Sequence, residues 1–171
     1  MMIVDVDGSE SRQGDTGELI VRSDSACAGY WNDPEATGIL LRGGWLNTGD
    51  LFSRDSDGYF WFKGRIKEII IRAGSNISPQ EVEEALCRHP AVLEAGVVGV
   101  PDPVYGEKVA AFVVLRAGHS ADVTELKRFT QQYLADYKLP EEIRFLNELS
   151  KSPTGKVHRP TLREMLLAQA S

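Results

Sequence analysis

Gly64-Arg65-Ile66-Lys67-Glu68-Ile69-Ile70-Ile71-Arg72-Ala73-Gly74-Ser75-Asn76-Ile77-Ser78-Pro79-Gln80-Glu81-Val82-Glu83 is where the chain changes character. Ile66 to Ile71 is apolar and β-branched, which predicts a strand. Ala73-Gly74-Ser75-Asn76 breaks it. Ser78-Pro79-Gln80-Glu81 is a helix start: Ser78 can cap, Pro79 suits the first helical position, and Glu81 can reach back to close a capping box. Val82, Ala85 and Leu86 then share one helical face, and Pro90 stops the helix.

Downstream, strand and helix signals alternate. Val92 to Val100 and Val109 to Leu115 read as strands separated by a turn at Pro101-Asp102-Pro103. Asp122 with Glu125 opens a second helix, with Val123, Leu126, Phe129 and Tyr133 on its apolar face. Ile143-Arg144-Phe145-Leu146 is a third short strand. Pro160 starts a last helix, with Leu162, Met165 and Leu166 inward. This order predicts an α+β domain of about 100 residues, with a β-hairpin and a three-stranded sheet packed by helices. Upstream, residues 1–63 are rich in Gly, Asp and aromatics and show no helical period. Gly17-Glu18-Leu19-Ile20-Val21 reads as a strand. Asp55-Ser56-Asp57-Gly58 is turn chemistry between Leu51-Phe52 and Tyr59-Phe60-Trp61-Phe62, which predicts a hairpin. Residues 1–63 alone read as part of a β structure.

Composition excludes several classes. The 171 residues carry 19 basic and 25 acidic side chains, a net charge of −6, where a nucleic-acid binder usually shows a basic surplus. No apolar run approaches the roughly 18 residues of a membrane span. Met1-Met2-Ile3-Val4-Asp5 has no basic n-region, so no signal peptide is expected. Cys27 and Cys87 form neither a disulfide framework nor a paired metal motif, and a cytoplasmic location is expected.

Several motif readings fail on single positions. Asp55-Ser56-Asp57-Gly58 resembles an EF-hand core, but the twelfth ligand position falls on Gly64, where a Glu is needed. Gly155-Lys156 resembles the end of a phosphate loop, but Ser150 stands where the earlier glycine belongs and Val157 where a hydroxyl would hold magnesium. His89, His119 and His158 share no ligand spacing with either cysteine. Gly118-His119-Ser120-Ala121-Asp122 lacks the closing glycine of a nucleophile elbow.

Four segments remain: Gly17-Glu18-Leu19 followed by Gly29-Tyr30-Trp31; Gly44-Trp45-Leu46-Asn47-Thr48-Gly49-Asp50; the stretch from Gly64 to Glu83; and Pro153-Thr154-Gly155-Lys156. In this order and spacing they resemble the C-terminal part of the adenylate-forming (AMP-binding) superfamily of acyl-CoA synthetases, peptide-synthetase adenylation domains and firefly-type luciferases. The resemblance implies a two-step acid–thiol ligase. A carboxylate attacks the α-phosphate of ATP, and a thiol, usually of coenzyme A, then displaces AMP, while a mobile C-terminal lid domain swings about a hinge between the steps.

By the same resemblance, Asp50 is the ribose-binding aspartate and Arg65 the second nucleotide contact; the plain alternatives are a turn aspartate after Gly49 and a surface arginine. Lys67 falls at the hinge. Gly74 lies on the loop lining the thiol tunnel, where a bare backbone lets pantetheine pass; a simple turn glycine is the alternative. Tyr105 stands where related synthetases carry an aromatic that can stack on the coenzyme A nucleotide, with core packing as the alternative. Lys156 matches the adenylation lysine, whose charge bridges the substrate carboxylate and α-phosphate as negative charge gathers there. No metal ligand is expected among these residues.

Family members are about three times longer. Their phosphate loop and the segment that grips adenine and magnesium are not found in these 171 residues. The chain is therefore expected to be a fragment, inactive alone: residues 1–63 a remnant of the large N-terminal domain's β-subdomain, residues 64–68 the hinge and residues 69–171 the lid. ATP, coenzyme A and magnesium are the expected cofactors of the parent enzyme. A small carboxylic acid and coenzyme A are its expected partners, with no nucleic acid and no membrane span. An adenylation domain that loads a carrier protein and a non-catalytic interaction module are the alternatives.

Overall fold

The structure, a computed structural model, describes residues 1–168 and divides into two units, Met1–Lys67 and Glu68 onward. The first is built on one antiparallel sheet of β1 (Met2–Val4), β2 (Thr16–Val21), β3 (Leu41–Arg42), β4 (Trp45–Arg54) and β5 (Phe60–Arg65). The long strand β4 pairs with β2, β3 and β5. Asp55 closes the β4–β5 hairpin by accepting from the N–H groups of Asp57 and Tyr59, and its other carboxylate oxygen takes the Trp61 indole N–H at 2.6 Å. These donors, the Trp61 indole first, hold its carboxyl below the usual range. A short helix that the sequence did not signal, α1 (Pro34–Leu40), begins where Asp33 accepts from the Ala36 N–H. It buries no residue, so no apolar period existed to be read.

The second unit starts with a hairpin of β6 (Ile70–Arg72) and β7 (Ser75–Ile77). Its two central residues, Ala73 and Gly74, have φ of 48° and 79°, the geometry of a type I′ turn, whose twist matches that of the flanking strands. The predicted strand is shorter than its apolar run, because Ile66–Glu68 forms a 3₁₀ turn. Helix α2 (Pro79–Cys87) follows, with Val82, Ala85 and Leu86 buried. The expected capping box is half present: Ser78 accepts from the Glu81 N–H, whereas the Glu81 carboxylate turns away to Lys138, 2.7 Å from Nζ. An opposite charge is a stronger partner than a neutral N–H.

Strands β8 (Val92–Asp102) and β9 (Gly106–Leu115) form the longest antiparallel ladder, the first continuing through Pro101 to Asp102 where a turn was expected. Helix α3 (Val123–Thr130) leads to β10 (Glu142–Phe145), parallel to β9, and α4 (Arg159–Leu167) closes the unit. The hairpin and the three strands are not separate: Arg72 pairs with Gly106, joining them into one mixed sheet of order β10-β9-β6-β7 with β8 on β9. The fold is α+β, with four α-helices among the described residues.

Both faces of β9 are covered, which explains its unbroken apolar run. Val109, Ala111 and Val113 face a core with Val82, Leu86 and Leu126 from α2 and α3. Ala110, Phe112 and Val114 face a second core with Leu162 and Leu166 of α4. Gly96 admits α4 closely: a Cβ there would lie 2.7 Å from Leu162 Cδ1. Two expected inward residues are exposed, Tyr133 at 45% and Met165 at 38%, because the first lies beyond the end of α3 and the second turns off the buried Leu162–Leu166 stripe. No helix among the described residues is long and apolar enough to cross a membrane.

Candidate functional site

In the first unit, the hydroxyl of Thr48 donates to the Leu19 carbonyl and accepts from the Asp50 N–H, and the Gly49 N–H donates to Glu18. These bonds fix the end of the Trp45–Asp50 segment against β2. Asp50 then falls directly opposite Arg65 in the β4–β5 ladder, with Arg65 Nε 3.0 Å from Asp50 Oδ1. The contact is an ion pair without hydrogen-bond alignment: Oδ1 is shielded from solvent and accepts no hydrogen bond. The Asp50 side chain is still 25% exposed, so its carboxylate, held beside a guanidinium, can accept from a ligand that brings hydroxyl donors.

Lys67 is exposed in the 3₁₀ turn Ile66–Glu68, and the division between the two units follows it. Its neighbour Glu68 is tied down within the second unit. Arg159 reaches Glu68 at 2.7 Å and Glu83 at 2.9 Å, and Glu83 also accepts from the Val97 N–H at 2.8 Å. Burial holds the Glu83 carboxyl above its usual range, against the pull of Arg159.

Gly74 and Tyr105 come together in the second unit. The Ala73 N–H donates to the Tyr105 carbonyl at 2.8 Å, and Arg72 Cζ lies 4.8 Å from the Tyr105 ring centroid. Asp102 accepts from the N–H groups of Tyr105 and Val104, which hold its carboxyl below the usual range and fix the turn carrying the ring. Tyr105 is 45% exposed, so it is not a core residue, and a Cβ on Gly74 would meet nothing within 4 Å.

Lys156 sits on a separate small loop, where the Ser152 N–H donates to the Lys156 carbonyl and the Gly155 N–H to the Ser152 carbonyl. Lys151 and Val157 form a bridge at its base. The ammonium is exposed and has no ion pair among the described residues, so it is available to an anion. Among the described residues no group of three or more His, Cys, Asp or Glu side chains could hold a metal ion. The sequence did not signal Arg72 or Arg159, whose partners lie up to 91 positions away.

Residues 81–156 match the AMP-binding enzyme C-terminal domain. The sulfoacetate–CoA ligase of Cupriavidus necator is 47% identical over 154 residues, which cover 90% of this chain and 30% of that protein. The amide bond synthetase McbA of Marinactinospora thermotolerans superposes with a TM-score of 0.91 at 38% identity, over 96% of this chain and 34% of that one. The o-succinylbenzoate CoA synthetase MenE of Bacillus subtilis, in complex with the acyl-adenylate intermediate OSB-AMP, superposes with a TM-score of 0.87 at 33% identity, over 97% of this chain and 33% of that one. The chain thus spans about a third of the length of these relatives.

Proposed function

Because the chain corresponds to the C-terminal portion of the AMP-binding acyl-CoA ligase family, we propose that it forms the lid and adjoining strands of an acid–thiol ligase. That enzyme converts a carboxylic acid, ATP and coenzyme A to acyl-CoA, AMP and pyrophosphate by way of an acyl-adenylate. The observation that carries this reading is the Asp50–Arg65 pair, a partly exposed carboxylate beside a guanidinium, which suits the hydroxyl donors of a ribose. Arg65 lies beside it to meet ribose or phosphate oxygens.

In the first step, the carboxylate oxygen of the acid bonds to the α-phosphorus and the bond to the pyrophosphate oxygen breaks. Charge gathers on the α-phosphate, and Lys156, exposed and without an ion pair among the described residues, stabilises it without transferring a proton. Residues 64–68 act as the hinge, a role supported by the division between units after Lys67. In the second step, the thiol sulfur bonds to the acyl carbon and AMP leaves. Gly74 leaves room for the pantetheine arm and Tyr105 offers a ring to the nucleotide end. The magnesium ligands and the acid pocket are assigned to the rest of the ligase.

The test joins this chain to the N-terminal two thirds of the Cupriavidus necator ligase. Acyl-adenylate and then thioester formation are expected from the chimera, and neither from the 171-residue chain alone. A folded chimera that makes neither overturns the proposal. The likeness to an amide bond synthetase favours a second reading, in which an amine takes the place of the thiol. Faster amide than thioester formation by the chimera would select it.

A further inference from the structure

Arg72 ends β6 and immediately precedes the Ala73-Gly74 turn. Its guanidinium makes three contacts on two segments, the turn at Tyr105 and the stretch 137–141 before β10. Nη1 donates to the Tyr137 carbonyl at 2.9 Å, Nη2 lies 2.6 Å from Glu141 Oε1, and the cation stands over the Tyr105 ring. The side chain is 17% exposed, and its Nε is buried without a hydrogen-bond partner. Such burial is costly for a cation unless its geometry is fixed by partners. A lysine could make at most part of this set, because a point charge has neither the fork nor the flat face of a guanidinium.

We infer that Arg72 is a positioning residue for the thiol acceptor, holding the Tyr105 ring and the Ala73-Gly74 turn in one fixed arrangement. The inference rests on the ligase reading given above. Backbone bonds already tie the two turns together, Ala73 N–H to Tyr105 carbonyl and Arg72 opposite Gly106. They leave the ring itself free to rotate about its side-chain bonds. The Arg72 cation stands over its face, 4.8 Å from the centroid, and Glu141 and Tyr137 restrain Arg72 in turn. A ring held in place loses little freedom when a flat heteroaromatic group stacks on it. The acceptor predicted for this patch is therefore the nucleotide end of coenzyme A, and the adenylation step does not use it.

The same chimera tests this with Arg72→Lys, Arg72→Met and Glu141→Gln. The KM for coenzyme A should rise about tenfold in both Arg72 variants and about threefold in Glu141→Gln, with kcat at saturating coenzyme A within about threefold. Pyrophosphate release with acid and ATP should stay within about twofold. A purely structural arginine would instead slow both half-reactions together, in step with a fall in Tm, and Arg72→Lys would recover part of the loss. That pattern, or an unchanged KM for coenzyme A in folded variants, overturns the inference. If Arg72→Met does not fold, Arg72→Lys and Glu141→Gln decide it. A parent chimera without adenylation would overturn the ligase reading itself, a separate outcome visible before any variant is made.

Discussion

Asp50 stands opposite Arg65 in the β4–β5 ladder, 3.0 Å from oxygen to nitrogen, yet that oxygen accepts no hydrogen bond. A pair built for stability would align the guanidinium fork with the carboxylate. This one leaves acceptor capacity unspent, and the Arg65 side chain is 57% exposed, so the pair contributes about 1 kcal/mol or less to folding.

Asp50→Ala in the chimera should therefore act on nucleotide use and not on the fold. Two hydroxyl bonds to a charged acceptor are lost, which lowers kcat/KM for ATP in adenylation by about a hundredfold or more. Tm should move by no more than about 3 °C. Pyrophosphate exchange and thermal melting measure the two; normal ATP use would remove Asp50 from the ribose site.

Lys156→Ala should separate the half-reactions. The ammonium is exposed and unpaired among the described residues, so its removal leaves no buried partner behind. Loss of a charge that stabilises the adenylation transition state costs roughly 3 kcal/mol, or about a hundredfold in rate. Thioester formation from supplied acyl-adenylate should be retained. Equal slowing of both steps would assign Lys156 a different role.

Much of the fold was legible in the sequence, and the misses share a cause. The start of α2 was readable because Ser78 and Pro79 carry the local chemistry of a helix terminus within a few residues. The β6–β7 hairpin was readable through Gly74. Helix α1 was not, since it buries nothing and so imposes no apolar period. Ile66 to Glu68 looked like strand because composition does not distinguish a 3₁₀ turn from the strand it precedes. Candidate site residues were found by motif, one position at a time. The groups around them, Arg72 with Glu141 and Tyr137 and Arg159 with Glu68 and Glu83, join segments far apart in the chain, and no local pattern encodes such pairings.

Gly74→Leu should impair the second step alone. A Cβ at this position meets nothing within 4 Å, so no clash inside the unit is expected. The cost is conformational: φ is +79°, and a branched side chain there destabilises the turn by roughly 1 kcal/mol or more. Gly74→Asn, which tolerates this φ, serves as the control for strain. Single-turnover pyrophosphate release should survive within about threefold in both, while acyl-CoA formation falls most in the bulkier variant. Equal thioester rates for folded Leu and Asn variants would detach Gly74 from the thiol path.

Arg159→Met should destabilise the second unit in a pH-dependent way. Glu83 is largely buried, which pushes its carboxyl above the usual range, with Arg159 pulling the other way. A carboxyl whose folded value exceeds its unfolded value favours folding while protonated, and loses that contribution as pH rises through the raised folded value. Removing Arg159 takes away the largest opposing pull and leaves Glu68 repelling Glu83, so the folded value climbs further. At neutral pH the variant must bury a carboxylate whose remaining partner is the Val97 N–H, a cost of about 3 kcal/mol, or about 12 °C in the melting of a unit this size. As pH falls toward the unfolded value near 4.5, Glu83 takes up a proton in the folded state and the gap between wild type and variant should narrow. Glu83→Gln in the Arg159→Met background should recover part of the neutral-pH loss and flatten the pH dependence. Melting curves across about pH 5 to 8 decide the matter: a gap that stays constant, with no recovery in the double variant, would mean that Arg159 acts by packing and not by its charge.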